Sequence, residues 1–111
     1  MALQIQRSFD HEKKQWNIIP KGEVDISTAS TLRAAINESY KEEPGNIILH
    51  FDQLSYMDST GLGVIIGAFG RLKENDYRIE LKNPKENILK LLRITSLDKI
   101  LCPETANIKR R

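Results

Sequence analysis

The chain has 111 residues, 40% of them hydrophobic, which is enough core for one domain and too little for a separate catalytic domain. With 17 Lys and Arg against 15 Asp and Glu, the net charge of +2 gives no overall field to attract nucleic acid, so direct DNA binding is not expected. One cysteine, Cys102, excludes an internal disulfide framework and reads as a core filler, while His11 and His50 are too few and too scattered for a metal site.

Leu3, Ile5 and Phe9 alternate as an edge strand does, Asp10-His11-Glu12-Lys13-Lys14 makes a charged turn, and a second strand runs from about Gln15 to Lys21. That is an N-terminal hairpin. Gly22-Glu23-Val24-Asp25 reads as a loop, after which Ser27 or Thr28 can cap a helix whose face is Ala29, Leu32, Ile36 and Tyr40. Pro44-Gly45 stops it. Asn46 to Phe51 is a short apolar run of the kind a parallel strand shows when covered on both faces, and Leu54 and Met57 return the chain to the sheet's edge. Leu62, Ile65, Ile66, Phe69 and Leu72 then fall on one helical stripe. Tyr77, Ile79 and Leu81 predict another strand, Pro84 opens a third helix carrying Ile88, Leu91, Leu92 and Ile94, and Lys99-Ile100-Leu101 predicts a short last strand. Trp16 and His50 are read as core, and Ile108-Lys109-Arg110-Arg111 as a solvated tail.

Strands alternating with helices indicate a single α/β domain, residues 1–111, with a mixed sheet and an antiparallel N-terminal hairpin. In such sheets functional loops gather at the strand ends that face the helix starts, which places Asp25 and the loop of Ser59 at one end. The start, Met1-Ala2-Leu3-Gln4, leads into strand-like residues rather than an apolar leader, and no stretch approaches the roughly 18 apolar residues of a membrane span. A cytoplasmic protein without membrane contact is expected.

Met57-Asp58-Ser59-Thr60-Gly61-Leu62-Gly63 is the turn into the second helix and stations two hydroxyls at its N-terminus. The first N–H groups of a helix lack internal partners and carry the positive end of its dipole, so a Ser or Thr there can act as a cap, and a phosphate there would be stabilised by the same groups. Asp-Ser-Thr before a helix is equally what an ordinary cap looks like. What favours a phosphate site is the opposite side of the helix. Gly63, Gly67 and Gly70, each costing up to about 1 kcal/mol relative to Ala, lie across from the apolar stripe. With Val64, Ala68 and Arg71 they would form a low face on which a partner could lie close to the backbone. Gly61 and Gly63 would leave the hydroxyls open to another protein's active site. Ser59 is the first choice of acceptor and Thr60 the second.

Gly22-Glu23-Val24-Asp25 followed by Leu54-Ser55-Tyr56-Met57-Asp58-Ser59-Thr60-Gly61-Leu62-Gly63-Val64 resembles the STAS-domain anti-sigma factor antagonists, and most nearly their general-stress, sigma-B branch. The resemblance covers nearly the whole chain, including Ile94-Thr95-Ser96-Leu97-Asp98-Lys99-Ile100. It implies a STAS-like domain with helices packed mainly on one face of the sheet, and a cytosolic regulatory switch rather than an enzyme. It further implies that Ser59 is phosphorylated by an anti-sigma factor that is itself a serine kinase and supplies the ATP. In the family the unphosphorylated form binds that kinase and displaces the sigma factor, which activates stress-response transcription, and a PP2C-type phosphatase restores this form. Asp25 and Asp58 match positions near the family's kinase contact. The expected partner-binding set is Asp25, Asp58, Thr60, Gly61, Gly63, Val64 and Gly67, with no cofactor of the chain's own. Ser30 stands where relatives often have Pro, a departure in the first helical turn rather than in the site.

Two other classes compete with this one. A nucleotide-binding domain could cradle a ligand phosphate with residues 58–63, but there is no Gly-Lys-Ser/Thr ending and no evident general base. A structural STAS module of a transporter or a large sensing assembly would carry membrane spans or a sensor domain, and neither is present in this sequence.

Overall fold

A computed structural model describes residues 3–103; the terminal Ile108–Arg111 segment lies outside them. The hairpin forms as expected: β1 (Leu3–Asp10) pairs antiparallel with β2 (Gln15–Val24), and the turn closes with Lys14 at φ 53°. Helix α1 (Ala29–Glu42) follows, then β3 (Asn46–His50), β4 (Leu54–Met57), α2 (Ser59–Lys73), β5 (Ile79–Lys82), α3 (Glu86–Ile94) and α4 (Asp98–Leu101). The sheet order is β1-β2-β3-β5, with β4 also pairing to β2, and every pairing except β1–β2 is parallel.

The alternation of apolar residues puts the core on one side of this sheet. Trp16 and Ile18 of β2 stand in register with Ile47 and Leu49 of β3, and those with Ile79 and Leu81 of β5, all six buried. The opposite side carries Gln4, Gln6, Asn17, His50 and Lys82, so the helices pack mainly on the apolar side. Helix α1 buries Ala29, Leu32, Ile36 and Ser39, and packs against α2 and the hairpin. Trp16 is buried, as expected. His50 is only half-buried and bonds Asn17 at 2.9 Å across the polar side, so it is not a core residue.

Four elements differ from the sequence expectation. Strand β2 does not end at Lys21 but continues through Gly22-Glu23-Val24, because β4 offers it a second parallel partner. A bulge at Gly22 bends it there, at φ 124°, a conformation open to glycine and strained for other residues. The expected strand at Lys99–Leu101 is instead the short helix α4, with Leu101 buried and Ile100 exposed. In α3, Ile88, Leu89 and Leu92 face inward while Ile94 is exposed.

The fourth difference is in α2. Its buried residues are Gly61, Leu62, Val64, Ile65, Ala68 and Leu72, a stripe rotated by roughly 60° from the expected one, at about 100° per residue. Small side chains face the sheet so that the helix axis can come close to it. The bulkier Ile66 and Phe69 are displaced to the flank, where they meet Leu97, Ile100 and Leu101 around a small apolar cleft. Cys102 fills the core as expected, and burial pushes its thiol pKa up to about 12.

Candidate functional site

Two loops meet at one end of the sheet because two strands do. Val24, the last residue of β2, pairs with Met57, the last of β4, and Asp58 N donates to Val24 O at 3.2 Å. Asp25 and Asp58 are therefore the next residues along adjacent parallel strands, spaced about 5 Å apart in a sheet. Asp25 and the loop of Ser59 do come together at one end.

Each aspartate closes the start of a helix. Asp58 is the N-cap of α2: its Oδ1 accepts from Thr60 N at 2.9 Å and Gly61 N at 3.4 Å, and its backbone is extended at φ −105°, ψ −171°. Asp25 does comparable work ahead of α1, its Oδ1 accepting from Ser27 N at 2.9 Å, Ser27 Oγ at 2.7 Å and Thr28 N at 3.2 Å. Thr28 is the N-cap residue of α1, but its hydroxyl faces backwards, donating to Glu23 O at 2.8 Å and accepting from Asp25 N at 2.9 Å. The Ser27 hydroxyl and amide hold the Asp25 carboxyl below the usual aspartate range, with Thr28 adding to the effect. Asp25 Oδ2 makes no hydrogen bond among the described residues and remains open to an outside donor.

With Asp58 as the cap, Ser59 is left free. Ser59 is the first residue of α2, is exposed, and its hydroxyl has no hydrogen-bond partner among the described residues. Thr60 is half-buried. The N–H groups of Thr60 and Gly61 are engaged by Asp58, so a phosphate on Ser59 would sit in the field of the helix end without taking those two hydrogen bonds.

The glycines divide into two kinds. Gly61 is buried, and a Cβ there would stand 2.6 Å from Val24 Cγ1 and 2.7 Å from Met57 Cγ. It lets α2 start hard against the β2–β4 pair, and it does not open the hydroxyls to an outside protein. Val64, expected on the partner face, is 5% exposed and packs in the core. It faces the sheet for the reason Ala68 does, being compact enough for the close approach. Gly63, Gly67 and Gly70 are exposed; a Cβ at Gly63 or Gly70 would meet nothing within 4 Å, and one at Gly67 only the tip of Arg71 at 3.5 Å. At helical spacing Ser59, Gly63 and Gly70 share the outer face of α2, with Ile66 at its edge towards α4.

A groove of about 500 Å³ between β1 and α1, lined in part by Ile5, Arg7, Thr31 and Glu38, contains none of the expected site residues. Among the described residues no group of His, Cys, Asp and Glu could hold a metal ion, and no helix is long and apolar enough to cross a membrane.

Residues 17–110 match the model of the STAS domain family. The chain belongs to the STAS domain family. Its STAS relatives include an anti-sigma-B factor antagonist from Listeria monocytogenes, 37% identical over 98 residues, or 86% of this chain and 81% of that one. The solved structure of the anti-sigma factor antagonist SpoIIAA in its unphosphorylated form is 28% identical, with a TM-score of 0.65, covering 83% of this chain and 82% of that one. The Bacillus cell fate determinant SpoIIAA in its phosphorylated form is 26% identical, with a TM-score of 0.68, covering 99% of this chain and all of that one. The STAS family to which these regulators belong accounts for the mixed sheet and for helices gathered mainly on one side.

Proposed function

We propose that this STAS protein is an anti-sigma factor antagonist switched by phosphorylation of Ser59. The antagonist function rests on family membership and on the relatives' shared role. The observation that carries the switch is the division of labour at the start of α2. Asp58 caps the helix, and Ser59 beside it presents a hydroxyl with no structural task. That SpoIIAA exists in phosphorylated and unphosphorylated forms supports the reading.

In the unphosphorylated state the end of the sheet bearing Asp25, Asp58, Ser59 and Thr60, continued by Gly63 and Gly67 along α2, binds an anti-sigma factor serine kinase, which then releases its sigma factor and activates stress-response transcription. The kinase supplies the ATP and transfers the phosphoryl group to Ser59 Oγ. The transfer adds about −1.5 to −2 charge and a bulky tetrahedral group to a surface that must lie flush against its partner. Repulsion and desolvation at the interface break the complex while the helix end tolerates the charge, so both forms keep one backbone. A PP2C-type phosphatase restores the binding form. The chain itself performs no catalysis, and the whole exchange takes place in the cytoplasm.

The test is the intact mass of the purified chain after incubation with ATP and its anti-sigma factor, with the modified residue located by peptide fragmentation. One added phosphoryl group on Ser59, absent from Ser59→Ala, is the expected result. No added group, or a group on Thr60 alone, would overturn the assignment.

A further inference from the structure

Among the described residues Ile26 is the most exposed large hydrophobic side chain, at 83%. The others, Tyr56, Ile66, Ile94 and Ile100, lie within helices or a strand and are less exposed, at 44–72%. Ile26 stands in the loop between β2 and α1, where no intrachain packing requires it. A single exposed isoleucine on a loose loop would mean little. This loop is held in place. The residue before Ile26 and the two after it are tied together by Asp25 Oδ1, which accepts from Ser27 N, Ser27 Oγ and Thr28 N, and Thr28 Oγ1 bonds back to Glu23 O. Ile26 is thus projected into water from a fixed base.

Its position is equally specific. Val24 pairs with Met57, so Ile26, two residues beyond one strand, lies at the same end of the sheet as Ser59, two residues beyond the other. Holding a β-branched apolar side chain in water there serves nothing inside the domain. It does serve a surface that must bind a partner and yet be released by one modification: the apolar contact supplies binding, and a charge placed on the same end of the domain would have to be desolvated for the complex to persist.

We propose that Ile26 is the apolar anchor of the interface, entering a pocket on the anti-sigma factor kinase that acts at Ser59; this rests on the function proposed above. The kinase should therefore present an apolar recess beside its active site. Binding of the full chain to the kinase is measured by calorimetry for the wild type, Ile26→Val, Ile26→Ala and Ile26→Asp, with phosphorylation kinetics on the same set. Val should bind like the wild type, Ala about tenfold more weakly and Asp more weakly still, KM rising while kcat is unchanged. Thermal melting should be the same for all four, since the side chain is outside the core. If the wild type binds and is released by phosphorylation of Ser59 while Ile26→Asp binds within about twofold of it, the anchor is wrong and the switch stands. A wild type that neither binds nor accepts phosphate overturns the switch itself, and the anchor with it.

Discussion

Val24 and Met57 stand side by side at the ends of two parallel strands, and this one pairing positions both loops of the site. It brings Asp25 next to Asp58, and it sets the floor on which Gly61 brings α2 close to the sheet. The Ser59 hydroxyl is left at the surface because its neighbour on the chain, Asp58, has taken the structural work of the turn.

The caps predict a contrast between adjacent residues. Asp58→Ala removes the acceptor for Thr60 N and Gly61 N and should cost about 0.5–2 kcal/mol. Ser59→Ala should change stability by less than about 0.5 kcal/mol, since its hydroxyl bonds nothing described. Urea denaturation of both variants checks this, and equal losses would put the cap on the wrong residue.

The glycines predict opposite signs on one helix. Gly61→Ala would force a Cβ against Val24 and Met57 and should destabilise by about 1–3 kcal/mol. Gly63→Ala and Gly70→Ala, with open space for the methyl group, should stabilise by up to about 1 kcal/mol each. If the outer face of α2 touches the kinase, the same stabilised proteins should bind it more weakly. Melting temperatures and affinities measured together separate the two effects.

The loop under Ile26 should withstand mild acid. Asp25 has its pKa lowered by the Ser27 and Thr28 hydrogen bonds, so its contribution to stability is complete above the ordinary value of 3.8 and is lost as the pH falls further, through the lowered value. Amide exchange at Ser27 and Thr28, whose N–H groups the carboxylate holds, should keep the same protection factors from pH 7 to about pH 5 and lose them only in stronger acid. Loss of protection near neutrality would show that the carboxylate does not hold the loop.

Much of this was legible in the residues. The hairpin, the apolar run of β3 and the stop at Pro44-Gly45 carry strong local signals, and the two motif loops share one end of the sheet, as their places in the chain predict. What was missed depends on long-range contacts. Gly22-Glu23 are poor strand formers, and only the pairing with β4 keeps them extended. Three residues, Lys99–Leu101, are too short a run to tell a strand from one helical turn. In α2, ranking side chains by hydrophobicity favoured Ile66 and Phe69, whereas the sheet selected by size, taking Gly61, Val64 and Ala68. Asp58, Ser59 and Thr60 are all good caps, so their spacing could not say which one served; the extended backbone at Asp58 does.

The measurement that tests the central claim most directly is the affinity of the anti-sigma factor for the chain in its unmodified form and in a form carrying phosphate on Ser59 alone. A loss of about 3 kcal/mol, more than a hundredfold in Kd, is predicted for the phosphorylated form, with Ser59→Asp also weakened and Ser59→Ala binding like the unmodified protein. Equal affinity for the two forms would contradict the account.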